Sequence, residues 1–118
     1  MADHGLFIGW GQTRPGREAI PGRVLAEARA YWSGLRDAGQ IESFEVVVLA
    51  AHGGDLEGFA LLRGDRERLA HVRMTPEFAR MTMRIEACTE HVGVVDAYVD
   101  DGVSQLMSRW QEAIADLV

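Results

Sequence analysis

Apolar residues along the chain switch between two spacings, and the switches mark out its elements. Leu6-Phe-Ile-Gly-Trp10, bounded by Gly5 and Gly11, reads as a strand with Leu6, Ile8 and Trp10 on one face and Phe7 and Gly9 on the other. Neither face carries a charge, which predicts a central strand covered on both sides. Gly11 to Arg17 is a loop. Beyond it Val24, Leu25, Ala28, Tyr31, Trp32 and Leu35 recur every three or four residues, with Arg23, Glu27, Arg29, Arg36 and Asp37 on the remaining arc. This is the pattern of an amphipathic helix with one buried stripe. Its start is open between Pro15 and Pro21, both acceptable in a first turn. Gly39 sets its end near Ala38.

From Ile41 to Ala51 the period becomes two. Phe44, Val46, Val48 and Ala50 form one face, and Ser43, Glu45, Val47 and Leu49 the other. His52-Gly-Gly-Asp55 then predicts a turn, with the paired glycines supplying positive φ, and Gly58 to Leu62 returns as the antiparallel partner. Gly64-Asp65 ends that strand and caps a short helix from Arg66 to about Arg73, with Leu69 and Val72 inward. For the same reason Arg63-Gly64-Asp65 reads as a strand end and an N-cap, not as an adhesion motif.

Thr75-Pro76-Glu77 joins a capping hydroxyl, a first-turn proline and a carboxylate, so another helix starts there, with Phe78, Met81 and Ile85 buried. Arg84 to Thr89 fits either the end of this helix or the beginning of a strand that is secure from Val92 to Val99. Asp100-Asp101-Gly102 ends the strand. A last helix carries Val103, Leu106, Met107, Trp110, Ile114 and Leu117 on one stripe, opposite Ser104, Arg109, Glu112 and Asp116. Such a stripe is expected to pack against something.

Strands this apolar on both faces need two covers. One can be the chain's own helices; the natural second cover is another copy of the same sheet, which predicts a homodimer through the sheet face. With 118 residues and no internal repeat, low-complexity stretch or linker, residues 1–118 are expected to form a single domain. Composition changes this picture little: 47% hydrophobic and 25% charged residues are ordinary for a folded domain. A net charge of -6 argues against nucleic acid as a partner, because phosphate neutralisation needs a basic face. No apolar run approaches the roughly 20 residues of a membrane helix, and Met-Ala-Asp-His-Gly lacks a signal-peptide layout, so no membrane association and a cytoplasmic location are expected. All 12 basic residues are Arg, and Lys and Asn do not occur, which suggests a GC-rich bacterial genome.

The order strand, helix, strand, strand, short helices, strand, helix is a β-α-β-β-α-β plan, an α+β ferredoxin-like layout with a four-stranded antiparallel sheet, an extra short helix and a C-terminal helix. At this length the chain resembles the dimeric α+β barrel superfamily, in which two four-stranded sheets close face to face. Ile8-Gly-Trp-Gly11, Gly39-Gln-Ile-Glu-Ser-Phe44, His52-Gly-Gly-Asp-Leu56, Leu62-Arg-Gly-Asp65 and Gly93-Val-Val95 are similar to blocks in a group of small uncharacterised bacterial proteins of that superfamily. The resemblance spans nearly the whole chain. It implies a range of activities: oxygenation of aromatic compounds with little cofactor, haem degradation, small-ring isomerisation, peroxidase chemistry or plain ligand binding. The haem-degrading branch uses an Asn on its first strand, and this chain contains none.

Several residues are candidates for chemistry. His52 and Asp55 flank two glycines where an imidazole and exposed amides can hold an anion or move a proton; equally, they can serve the turn alone. Glu45 and Asp96 are carboxylates within apolar strands. Facing a closed interior either would act as a general base, whereas at a strand end either would be a solvated or paired charge. Trp10, Tyr31, Trp32 and Phe59 are candidates for an aromatic pocket, with Arg14 at its mouth to pair with a carboxylate, against the simpler reading as core and loop residues. His71 and His91 read as exposed helix-end or pre-strand histidines, and His4 as part of a mobile terminus. Cys88 has no partner for a disulfide and no ligands beside it at metal spacing, so neither a metal nor another cofactor is expected.

Two functions remain open at this level. The leading one is a homodimeric protein that binds a small apolar or aromatic ligand; the alternative is a cofactor-independent oxygenase-like enzyme acting on a small aromatic compound, with His52, Asp55 and Asp96 as acid and base. A regulatory or structural partner of another protein is a third.

Overall fold

The computed structural model describes residues 2–118. Its elements are β1 (His4–Trp10), α1 (Pro21–Asp37), β2 (Ser43–Val48), β3 (Gly58–Gly64), α2 (Arg66–Arg73), α3 (Pro76–Cys88), β4 (Gly93–Tyr98) and α4 (Asp101–Ile114), followed by a short 3-10 turn, Ala115–Leu117. The four strands form one antiparallel sheet in the order β2-β3-β1-β4. This is the ferredoxin-like β-α-β-β-α-β arrangement, and β1 is central as its uncharged faces require.

Alternation on the strands sorts the sheet into two faces. Leu6 and Ile8 on β1, Ala60 and Leu62 on β3, and Phe44 and Val46 on β2 face α1, α2 and α3. They close the core with Val24, Ala28 and Trp32 of α1, Leu69 and Val72 of α2, and Phe78, Met81 and Ile85 of α3. On the other face Phe7 stacks on Phe59 with ring centroids 5.1 Å apart, and Leu61, Val47 and the exposed Val95 extend the apolar surface around them. Nothing within the chain covers that face, among the described residues.

Local chemistry explains the boundaries. Of the two candidate prolines, Pro21 starts α1; Pro15 stays in the loop. Gly39, with φ 74°, ends the helix in the left-handed conformation that a side chain disfavours. The carboxylate of Asp65 accepts from the Arg68 amide and the hydroxyl of Thr75 accepts from the Phe78 amide, so α2 and α3 each begin on a side-chain cap. Residues 84–88 complete α3, and the amide and the hydroxyl of Thr89 both donate to the Ile85 carbonyl, at 3.0 and 2.8 Å, which closes the last turn.

Three details differ from the sequence expectations. The first strand reaches back to His4, whose ring bonds Asp3 and lies 5.5 Å from the Tyr98 ring, so this histidine is fixed in the sheet and not in a loose terminus. The β2–β3 connection is a longer loop, 49–57, in which only Gly53 takes positive φ. Most of the apolar stripe of α4 is left open among the described residues: Val103, Met107, Trp110 and Leu117 are exposed, while Leu106 and Ile114 are half-buried.

Candidate functional site

An apolar cavity of about 150 Å3 lies between α1, the end of α3 and the ends of β1 and β2. Its formation follows from a small ladder that ties the loop after β1 to the residues after α3. The Gly11 amide donates to the Glu90 carbonyl at 2.7 Å, the Glu90 amide to the Gln12 carbonyl at 2.9 Å, and the Arg14 amide to the Cys88 carbonyl at 2.9 Å. Thr13 and Thr89 pair across it. This ladder fixes the loop against the end of α3, whose Cys88 and the following Thr89 line the cavity.

Trp32 and Ala28 of α1, both fully buried, lie deep in the cavity, and Ile85 and Cys88 of α3 form the facing wall. Trp10, the last residue of β1, lines it from the sheet. A methyl group at Gly58 would come within 2.8 Å of the indole, so this glycine leaves the space the ring occupies. Val48 at the open side is 69% exposed, which marks the mouth. Around the wall, neither carboxylate nor imidazole is present. Cys88 is the one titratable group there, and burial pushes its thiol up against the opposing charges of Arg17, Arg14 and Arg84. A neutral thiol that also donates to the Arg84 and Ile85 carbonyls is a packed group, not a nucleophile.

Of the aromatic residues expected at a pocket, Trp10 and Trp32 meet in this cavity. Tyr31 points to the other side of α1, beside Glu27, Glu77, Arg80 and Met81, where burial raises the pKa of its phenol against the nearby Thr75 and its hydroxyl makes no hydrogen bond of good geometry. Phe59 lies across the sheet, on the face of Phe7. Arg14 does not line the cavity; its amide is tied to the Cys88 carbonyl and its Nε donates to the Glu86 carbonyl at 2.8 Å, on the exposed loop.

The three acid/base candidates are not brought together. His52 is exposed and spends both ring nitrogens on its own loop, Nδ1 accepting from the Gly54 amide at 3.2 Å and Nε2 donating to the Leu56 carbonyl at 2.7 Å. Asp55 is exposed in the same loop. Asp96 projects on the helix side of β4 and pairs with Arg73 at 3.1 Å. Glu45, on the opposite face, pairs with Arg63, which also holds Asp100. Among the described residues no His, Cys, Asp and Glu cluster has the arrangement of a metal site, and no helix is long and apolar enough to cross a membrane.

Val24, Leu25, Val48, Ile85, Cys88 and Thr89 also line it; the sequence set the first four on buried helix or strand faces without showing that these faces meet at a cavity. For Cys88 and Thr89 the signal is long-range, since the pairing of residues 11–14 with 88–90 joins them to the loop after β1.

No family model and no curated protein matches the chain. Solved structures do. An ethyl tert-butyl ether D (EthD) family protein of Bacillus halodurans superposes with a TM-score of 0.63 at 11% identity, covering 83% of this chain and 99% of its own. A dimeric ferredoxin-like protein of unknown function from Jannaschia sp. gives 0.63 at 17%, covering 81% and 99%. A DABB family protein with a ferredoxin-like fold from Mesorhizobium loti gives 0.62 at 17%, covering 83% and 97%. At these identities the likeness is one of fold. The chain has the ferredoxin-like fold of these proteins, as its resemblance to the dimeric α+β barrel superfamily implied.

Proposed function

We propose that this protein binds a small, single-ring aromatic molecule in the cavity between α1 and α3, and that a carboxylate on that ligand pairs with Arg14, assisted by Arg17, at the rim. The observation that carries this reading is the cavity itself. About 150 Å3 walled by aliphatic and indole groups is the size and character of an apolar void that holds a benzene-sized guest. The wall supplies shape and dispersion contacts, while polarity is confined to the loop outside it. Neither Arg14 nor Arg17 lines the cavity, but the charge of both reaches the wall residue Cys88, and this reading places the ligand's carboxylate beside them.

The reading is tested by titrating the tryptophan fluorescence with benzoate and with benzyl alcohol. Both ligands quench the wild type. Arg14→Ala weakens benzoate about fivefold, the ~1 kcal/mol of an exposed ion pair, and leaves benzyl alcohol unchanged. Equal loss for both ligands, or none for benzoate, contradicts the role given to Arg14.

We also infer that a second copy covers the open face of the sheet. Phe7, Phe59, Leu61, Val47 and Val95 form an apolar surface too continuous to be left to water, and a fold neighbour is described as dimeric.

A further inference from the structure

The orientation of α4 is unusual for a helix that serves only its own chain. Its polar residues Ser104, Gln105, Ser108 and Arg109 turn toward the body, where they line an open cleft with His4 and Arg66, and Arg109 lies 5.8 Å over the Tyr98 ring. Three of its apolar residues turn outward, while Leu106 and Ile114 are half-buried. Val103, Met107 and Trp110 are 45%, 48% and 59% exposed, and Gly102 is the one buried residue of the helix.

This exposure does not come from a loose attachment. A Cβ at Gly102 would overlap the Asp3 carbonyl, the Val99 amide donates to that same carbonyl at 3.1 Å, and Arg63 holds the carboxylate of Asp100, whose φ is 51°. The helix is therefore anchored at its first turn and projects from there. The molecule extends 53 Å in its longest direction, with a radius of gyration of 16.1 Å, where a compact chain of this length has about 13.5 Å.

We propose that the outward stripe of α4 clasps a second copy of this chain. The proposal rests on the pairing of open sheet faces inferred above, and it supplies what that pairing lacks in area. Four strands of six or seven residues make a face about 20 Å by 19 Å, a footprint of roughly 400 Å2 against about 800 Å2 per partner in a stable complex. Helix α4, about 21 Å long and ~10 Å wide, adds roughly 200 Å2. In a two-fold pair each protomer offers its own stripe and receives its partner's, so the helix counts twice and the footprint reaches the stable range. A lipid surface fits less well, because α4 and its following turn carry Asp101, Glu112 and Asp116 against the single cation Arg109, whereas interfacial helices are rich in Lys and Arg.

Sedimentation equilibrium on the full chain tests this with the wild type, Met107→Glu/Trp110→Glu on the stripe, and Val95→Arg on the sheet face. All three changed positions are exposed in the protomer, so circular dichroism is expected to match the wild type. The expected result is a wild-type dimer at micromolar concentration whose Kd rises at least 100-fold in the stripe variant and also in Val95→Arg. A stripe variant that dimerises with the wild-type Kd while Val95→Arg does not overturns the clasp and leaves the sheet pairing standing. Loss of dimer in the stripe variant alone overturns the sheet pairing and with it the two-surface clasp, leaving α4 as the sole contact between copies. A wild type that stays monomeric at 100-fold higher concentration overturns both.

Discussion

Tyr31 and Trp32 are neighbours in sequence with opposite fates. Both belong to the apolar arc of α1, but the 100° step between them sends Trp32 into the cavity and core and Tyr31 to the seam beside α3. The tyrosine hydroxyl is buried there beside Thr75 without a hydrogen bond of good geometry. Tyr31→Phe is accordingly expected to stabilise the fold by up to about 1 kcal/mol, read as a higher midpoint in urea. A loss of more than about 1 kcal/mol would mean the hydroxyl is bonded in solution. At this scale the sequence was partly legible: Trp10 and Trp32 could be picked out as aromatic residues at strand and helix spacing. Cys88 and Thr89 could not be joined to them, because no local pattern encodes the pairing of the loop after β1 with the end of α3.

Between elements, α1 and α3 are locked by an ion pair. The Arg84 guanidinium donates through Nε at 2.8 Å and Nη2 at 2.9 Å to the two oxygens of Glu27. These bonds hold the Glu27 carboxyl below its ordinary pKa, with Arg23 on the next turn assisting. A carboxylate depressed in the folded state adds stability that is fully present above the unfolded pKa of about 4.3 and is lost as pH falls through the folded value. Glu27→Gln is therefore expected to lose less stability than the wild type between pH 6 and pH 3, in thermal melts across that range. Parallel profiles for the two proteins would rule out this contribution. Element types and order were readable from period and caps, since Asp65 and Thr75 cap with their side chains and Gly39, lacking one, takes positive φ. The end of α3 was not, because residues 84–89 satisfy both spacings and only the Thr89 bond to Ile85 decides between them. The hairpin was read as tighter than it is: His52 closes its loop through two backbone contacts, so a histidine that looked available for chemistry serves as a brace.

For the whole molecule, the fold could be argued from the chain because two-faced apolar strands allow few arrangements, and the order of elements selects one. What escaped was the direction of α4. Its stripe is the clearest periodicity in the sequence, yet periodicity specifies that a face needs burial and says nothing of which molecule provides it. Two surfaces, the open sheet face and that stripe, thus turn away from the chain's own core, while the cavity belongs to the protomer and is remote from the open face. Ligand binding is expected to be independent of concentration-driven assembly for that reason. The central claim is that the cavity between α1 and α3 is a ligand site, and 19F NMR of 4-fluorobenzoate titrated with the protein tests it most directly. Saturable broadening of the ligand signal by the wild type, abolished by Ala28→Leu, which fills much of the void from its deepest point, is the predicted result. No broadening with the wild type, or equal broadening with the filled variant, would contradict it.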